Sequence, residues 1–226
     1  METSKTSIYR KIVMALSGLF LIIFLLQHFI INSLSVISPD AFNEASHFMG
    51  TNPIVQFLAQ PILIFGVVIH FLMGVAIEMK NRAARPVAYA QNNPSKNSSW
   101  MSRNMIISGV VVVLFLGLHF YDFWFPEINT KFIQGDMSGT MAGVDGYRYF
   151  AELQHKFISP IRVGIYVLAF VFLALHLQHG FSSSFQTVGF NNKYTPSIKK
   201  FANIYSIAIP LGFILIAIFH FINSSH

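Results

Sequence analysis

Four histidines lie where a polar side chain is unusual, because each is inside a long apolar stretch of the sequence. They are His28, His70, His119 and His176. A neutral imidazole can ligate a metal, carry a proton or bond a neighbouring helix. Because an ionisable residue within a membrane-spanning segment is energetically costly, each is a candidate functional residue.

The apolar stretches that carry these histidines are long enough to cross a bilayer as helices, which takes about 20 residues each. The predicted spans are 12–36, 54–78, 105–125, 161–181 and 201–222. Helices are expected because backbone polar groups in lipid must be satisfied within their own segment. Hydrophobic residues make up 54% of the 226 residues and charged residues 11%, which argues against a soluble or disordered chain.

The sequence therefore predicts an all-α membrane protein, with five transmembrane helices in one bundle and a single membrane domain over residues 1–226. Residues 32–52 and the polar segment 81–103 are interpreted as links between spans. Apolar residues at helical spacing over 147–158 predict a short amphipathic helix on the membrane surface.

The positions of the four histidines along their spans place them in two layers. His28 and His119 each lie about 25 Å from the basic residue at the start of their span. His70 and His176 lie on descending helices, about 15 Å and about 9 Å from the same membrane boundary. The spacing thus gives one pair of histidines near the outer face and a second pair nearer the inner face.

Two histidines on opposite helices at one level are what a six-coordinate haem b requires, because imidazoles fill both axial positions of its iron. Zinc favours three or four protein ligands converging on one point, which two separated pairs do not offer. A proton relay would more often include carboxylates, and only Glu78 and Asp122 come near, at span edges. For any single histidine, a simple hydrogen bond to a neighbouring helix stays an open alternative.

The chain contains no cysteine, so it can hold neither an iron–sulfur cluster nor a thioether-attached haem. His179 lies three residues after His176 and is a rival ligand. His47 and His155 lie in outer segments and are expected to have surface or interface roles, and His220 lies near the outer end of the fifth span.

Glycines beside the histidines are expected to make room for a flat macrocycle, which ordinary helix packing at 8–10 Å does not provide. The glycines interpreted in this way are Gly66, Gly74, Gly117 and Gly180. The glycines interpreted as ordinary helix-packing residues are Gly18, Gly109 and Gly212.

Basic residues are distributed unevenly between the two ends of the predicted bundle. With the N-terminus in the cytoplasm, eleven lysines and arginines fall on inner segments. The four on outer segments are Lys131, Arg148, Lys156 and Arg162. The positive-inside rule therefore predicts a cytoplasmic N-terminus and an outer C-terminus. Binding to nucleic acid is not expected, because the basic residues are spread over short segments that flank the membrane.

Several motifs resemble the cytochrome b subunit of bacterial succinate dehydrogenases and fumarate reductases, in its five-helix, di-haem form. The more specific ones are Gln27-His28 and the segment 41–49, which reads Ala-Phe-Asn-Glu-Ala-Ser-His-Phe-Met. The order of the remaining histidine-bearing helices extends the resemblance over nearly the whole chain.

The resemblance implies that His28 and His119 bind the distal haem b, and that His70 and His176 bind the proximal one. It implies a subunit that anchors a flavoprotein and an iron–sulfur protein on the cytoplasmic face of the bacterial inner membrane. FAD and iron–sulfur clusters would then lie only in those partners, and electrons would pass through the haems to a quinone, usually menaquinone. It leaves open whether such complexes form dimers.

The resemblance defines the quinone site less sharply. Polar candidates near the distal haem are Asn32, Asn43, Glu44 and His47, with Asp122 as a further polar contact. The asparagines could instead cap or turn the chain. Some fumarate reductases of this type carry a glutamate where this chain has Ala174, which favours succinate oxidation here.

Two other functions stay open at this point. The chain could be a di-haem subunit of another respiratory complex, of the hydrogenase or formate dehydrogenase type. It could also be a haem-free transporter whose histidines contact substrate or protons.

Overall fold

The computed structural model describes residues 2–83 and 105–224, with side chains from residue 8 onward. Within these ranges the secondary structure is helical, without strands. The main helices are α1 (Glu2–Ile37), α2 (Pro39–Thr51), α3 (Gln60–Ala83), α4 (Met105–His119), α5 (Tyr149–Phe157), α6 (Pro160–Thr187) and α7 (Thr195–Ser224). The Met105–Ile133 stretch continues beyond α4 through short turns that include an α-helical turn, Phe125–Ile128, and a π-helical turn, Asn129–Ile133. The all-α prediction is confirmed for this part of the chain. Most of the predicted link 81–103 lies outside the described residues.

In the described part of the chain, five stretches are long and apolar enough to cross a membrane, which confirms the prediction of a multi-pass membrane protein. They are Ile8–Ile37, Val55–Ala83, Met105–Ile133, Pro160–Thr187 and Thr195–Ser224. Each of them contains or overlaps one predicted span and extends it at one or both ends. Which end of the bundle faces the cytoplasm stays a prediction.

A π-helical turn, Phe120–Trp124, follows α4 directly. Pro126 accounts for it, because proline has no N–H and its ring crowds the carbonyl four residues earlier, that of Asp122. The residue before the proline instead donates to the carbonyl five residues earlier. The π-helical turn Val55–Ala59, which leads into α3, has the same relation to Pro61.

Four helices form a ring that defines the interior of the bundle. α1 packs against α3 and α6, and α4 also packs against α3 and α6. α1 and α4 therefore lie on one diagonal of the ring, and α3 and α6 on the other. α7 packs outside the ring against α1 and α6. Each helix of the ring carries one of the four candidate histidines.

The end of the bundle where α1 finishes, called the loop end below, carries α2 and α5. The predicted link 32–52 does connect two spans, and it contains α2, which was not predicted. Ser38 caps α2 by accepting a hydrogen bond from the backbone of Ala41, and Pro39 occupies the first helical turn. These are local start signals that a search for long apolar stretches does not detect.

The short amphipathic helix predicted over 147–158 is present as α5. It does not lie freely on a membrane surface, however, because it packs against α2, α6 and α7. Its apolar residues Leu153 and Phe157 are buried in the core of the protein. α5 therefore closes the loop end of the bundle.

Candidate functional site

The imidazole rings of His28 and His119, called the first pair, meet across the α1–α4 diagonal. Their ring centroids are 5.7 Å apart and their planes are nearly perpendicular, at 85°. Phenylalanines pack around both rings: Phe24 stacks on His28 at 5.5 Å, and Phe123 lies 5.3 Å from His119. Phe213 of α7 also reaches His28, at 5.8 Å. The first pair thus lies in an aromatic environment.

The rings of His70 and His176, called the second pair, meet across the α3–α6 diagonal. Their centroids are 6.2 Å apart and their planes are inclined at 75°. His179, the rival ligand, is half-buried, and the ring that meets His70 is that of His176. The four histidines are therefore brought together as the two pairs that the sequence spacing suggested.

The two pairs lie at different levels along the bundle. The hydroxyl of Ser17 in α1 lies 3.1 Å from Nδ1 of His70, so the second pair is level with Ser17. His28 comes eleven residues later in the same helix, a rise of about 16 Å. The same offset separates Ser108, which contacts His176, from His119 in α4.

The separation within each pair suits two axial ligands of one metal. An imidazole nitrogen binds a first-row metal at about 2.0 Å, so two rings on opposite sides of it have centroids about 6 Å apart. Both observed separations are close to this value. A porphyrin needs only two such ligands, and the described residues contain no group of three or more side chains suited to a bare metal ion. The residues present therefore fit a haem at each pair.

The glycines next to the paired rings are not the ones expected from the sequence. A Cβ atom on Gly18 would lie 3.2 Å from Cε1 of His70, and one on Gly109 would lie 3.5 Å from Cε1 of His176. The glycines expected to make room for a macrocycle face Phe20, methionine side chains or open space; they are Gly66, Gly74, Gly117 and Gly180. Each ring is approached by a neighbouring helix, so the glycine that makes room is on that neighbour.

Asn32 is the quinone candidate that contacts a paired histidine. Its amide nitrogen donates to the backbone carbonyl of His28 at 2.8 Å and lies 3.4 Å from Nε2 of the same residue. This contact places a polar side chain beside the first pair, on the side nearer the loop end.

The other three quinone candidates lie on α2 at the loop end. Asn43 is buried, and its side-chain oxygen accepts a hydrogen bond from the backbone of Phe150 at 2.8 Å. His47 stacks on Tyr147 with a centroid separation of 3.9 Å. Glu44 is exposed. Asn43 thus connects α2 to the first turn of α5, and His47 connects α2 to the segment just before α5.

Asp122 is a buried carboxylate three residues after His119. Its side chain accepts a hydrogen bond from the hydroxyl of Tyr166 at 2.9 Å. Arg162 lies 3.2 Å from the carboxylate, and Lys156 lies 4.0 Å from it. Sequence reasoning treated the two cations only as outer-segment charges, whereas the structure shows that they compensate a buried acid.

His220 of α7 is fully buried and was missed as an interior residue. Its Nε2 lies 2.8 Å from the hydroxyl of Ser35, which donates its proton to the carbonyl of Asn32 at 2.6 Å. A polar chain thus runs from α7 to the first pair. The spacing of His28, Asn32 and Ser35 at i, i+4 and i+7 places them on one face of α1, which is a sequence signal for this row of polar side chains.

A second charged cluster holds the loop end together. Glu127 pairs with both Lys131 and Arg148, whose side chains are buried, and Lys131 also donates to the carbonyl of Gly50. Arg148 pairs in addition with Glu152 at 2.6 Å. Burial by itself lowers the pKa of Arg148, but its hydrogen bonds to the two glutamates raise that pKa above its usual range.

A sequence comparison with known proteins provides evidence that is independent of the geometry. The chain is similar to a succinate dehydrogenase cytochrome b subunit. That relative, the succinate dehydrogenase cytochrome b558 subunit of Bacillus subtilis (strain 168), is 23% identical over 189 residues, which cover 83% of this chain and 81% of the relative. This similarity to the cytochrome b subunit agrees with the resemblance in the motifs. No family model matches the chain, and no solved structure matches it significantly.

Proposed function

We propose that the chain is the membrane-anchor cytochrome b subunit of a succinate dehydrogenase, with two haems b. The observation that carries this proposal is the meeting of two histidine pairs, each across a diagonal of the helix ring and each at a separation suited to axial ligation. The name of the Bacillus relative supports the choice of complex.

In this proposal His28 and His119 hold the distal haem, and His70 and His176 hold the proximal haem. When bound, haem accepts and releases single electrons. The chain itself fixes the axial ligands, excludes water with apolar helices and keeps the two sites apart along the bundle. The phenylalanines around the first pair and the small residues around the second give the two sites different surroundings.

The two ends of the bundle would bind different partners. A flavoprotein and an iron–sulfur subunit would dock at the end opposite the loop end, where Lys80, Arg82 and Lys199 are among the described basic residues, on the cytoplasmic face of a bacterial inner membrane. FAD and the clusters belong to those subunits. The quinone, menaquinone by preference, would bind near the first pair, where Asn32 and Asp122 are polar groups beside His28 and His119.

Asn43, Glu44 and His47 complete the proposed surroundings of the quinone from α2. Of these, exposed Glu44 is suited to exchange quinone protons with the outer aqueous phase. Asn43 and His47 would act mainly by holding α2 in place, because Asn43 already bonds the first turn of α5 and His47 stacks on Tyr147 just before it.

The experiment that tests the proposal is a reduced-minus-oxidised optical spectrum of the purified membrane complex, with haem and protein quantified together. Two haems b per chain are expected, and succinate should reduce at least part of them. A folded preparation without haem would contradict the proposal. Haem that succinate cannot reduce, with hydrogenase or formate dehydrogenase subunits in the preparation, would assign the chain to another respiratory complex.

A further inference from the structure

A serine–glycine pair occurs at the same position in α1 and α4. Ser17-Gly18 precedes His28, and Ser108-Gly109 precedes His119, in each case with eleven residues from serine to histidine. Each pair contacts the second-pair histidine of the adjacent helix, so that α1 supports His70 and α4 supports His176. The two diagonals of the ring are therefore linked by a repeated local arrangement.

The hydrogen bonds that the two serines make to their own helices show which group donates in each serine–histidine contact. The hydroxyl of Ser17 donates to the carbonyl of Met14 at 3.0 Å and lies 3.1 Å from Nδ1 of His70. The hydroxyl of Ser108 donates to the carbonyl of Met105 at 2.9 Å and lies 3.4 Å from Nδ1 of His176. A hydroxyl has one proton, so a serine that donates to its own helix can only accept from the imidazole.

This direction places the imidazole proton on Nδ1 and leaves the lone pair on Nε2. Nε2 is then the nitrogen available to a metal, and the ring is held in one orientation by the serine. The glycine that follows each serine leaves space for the same ring, since a Cβ there would contact Cε1. The serine hydroxyl and the space beside the glycine thus position the same imidazole ring.

The first pair lacks this arrangement. Among the described residues, the Nδ1 atom of His119 is buried and has no hydrogen-bond partner. His28 has Asn32 close to its Nε2 atom. The serine support therefore distinguishes the second pair from the first.

We propose that Ser17 and Ser108 are positioning residues that fix the tautomer and orientation of His70 and His176 and tune the potential of the haem held there. This inference rests on the proposed function. An acceptor on Nδ1–H makes an imidazole a more basic ligand, which favours the oxidised metal. Loss of either hydroxyl is therefore expected to raise the midpoint potential of the second-pair haem.

The test is redox titration of the purified complex carrying Ser17→Ala or Ser108→Ala. Both haems should remain, and the second-pair haem should become easier to reduce by up to about tenfold in equilibrium constant, about 59 mV for one electron. The potential of the first-pair haem should not change. The His119→Ala variant, which leaves the second pair intact, assigns each potential to its pair.

Two further variants make the result specific. Ser17→Thr keeps a hydroxyl and should restore the original potential. Ser33→Ala is the matched control, because Ser33 lies in the same helix and donates to the carbonyl of Phe29 at 2.8 Å in the same way. It should leave both potentials unchanged.

The outcomes separate this inference from the proposed function. Haem present in the unaltered complex, with potentials that neither serine variant changes, would overturn the inference alone. Equal shifts at both haems, or in the Ser33→Ala control, would also overturn it. An unaltered complex without haem would instead overturn the proposed function.

Discussion

The imidazole pairs make the sharpest predictions at the scale of single residues. Substitution of either His28 or His119 by alanine should remove the same haem and leave the other, because each haem needs both axial ligands. The haem content should fall from two to one per complex, as measured by quantitative optical spectroscopy. His155→Ala is the control, since His155 is exposed and belongs to neither pair; it should retain both haems.

The corresponding variants of His70 and His176 should remove the other haem. If His28→Ala and His119→Ala instead removed haems with different spectra, the pairing across the ring would be incorrect. If His179→Ala removed the second-pair haem while His176→Ala retained it, the rival ligand would be the true one.

The glycines beside the second pair give a graded prediction. A Cβ on Gly18 would lie 3.2 Å from the His70 ring, which is closer than ordinary contacts, whereas on Gly109 it would lie 3.5 Å from the His176 ring. Gly18→Ala should therefore alter the EPR signal of the second-pair haem more than Gly109→Ala does. Gly117→Ala has open space at this position and should behave like the unaltered protein. Equal effects of all three substitutions would exclude a steric cause.

The sequence alone identifies the four paired histidines, because a polar residue in an apolar span is visible without any knowledge of its neighbours. Ser17, Ser108 and His220 were not identified as interior polar partners. Their roles depend on contacts between helices that are far apart in the sequence, such as that of Ser35 with His220. The contacts of Gly18 and Gly109 with the second-pair rings were not identified for the same reason.

At the scale of elements, one buried side chain of α2 supplies a hydrogen bond to the backbone of α5. The backbone N–H of Phe150 lies in the first turn of α5, where no helical acceptor exists, and Asn43 of α2 supplies the acceptor. Asn43→Ala leaves that N–H buried without a partner, which should destabilise this contact by about 1–3 kcal/mol. A lower melting temperature of the purified complex and faster proteolysis at the loop end are the expected results.

The neighbouring residue supplies the control for this prediction. Glu44→Gln alters an exposed side chain and should leave the melting temperature unchanged. If Asn43→Ala preserved stability but weakened reduction of the quinone, Asn43 would act as a quinone ligand and not as a connection between helices.

The elements themselves were predictable to different degrees. The five spans follow from length and apolarity, because a helix satisfies the backbone polar groups of such a stretch within the stretch itself. α2 was missed because its 13 residues include few long apolar side chains and its start signal is only local. The π-helical turn before Pro61 could be anticipated only as a bend in the helix. A hydrogen bond to the carbonyl five residues earlier forms only because the helix continues past the proline, and the same holds for the turn before Pro126.

At the scale of the whole molecule, the charged cluster of the loop end joins the Met105–Ile133 span to α2 and α5. Glu127→Gln leaves the buried cations Lys131 and Arg148 without their shared partner, which should cost on the order of 3 kcal/mol. Glu152→Gln should have a smaller effect, because its carboxylate is more exposed and contacts Arg148 alone. Thermal unfolding of the two purified variants measures the difference, and equal melting temperatures would contradict a structural role for Glu127.

The orientation of the molecule is the prediction that concerns every helix at once. All four basic residues assigned to outer segments are paired with carboxylates at the loop end: Lys131, Arg148, Lys156 and Arg162. The other described lysines and arginines lie towards the opposite end, which the positive-inside rule places in the cytoplasm; they are Arg10, Lys11, Lys80, Arg82, Lys193, Lys199 and Lys200. Alkaline phosphatase fused after residue 226 should therefore be active, and a green fluorescent protein fused there should be dark. The same reporters inserted in the segment 84–104 should show the reverse pattern. A fluorescent C-terminal fusion would contradict this orientation, and the subunit-docking face and the quinone end would then lie on the opposite sides of the membrane.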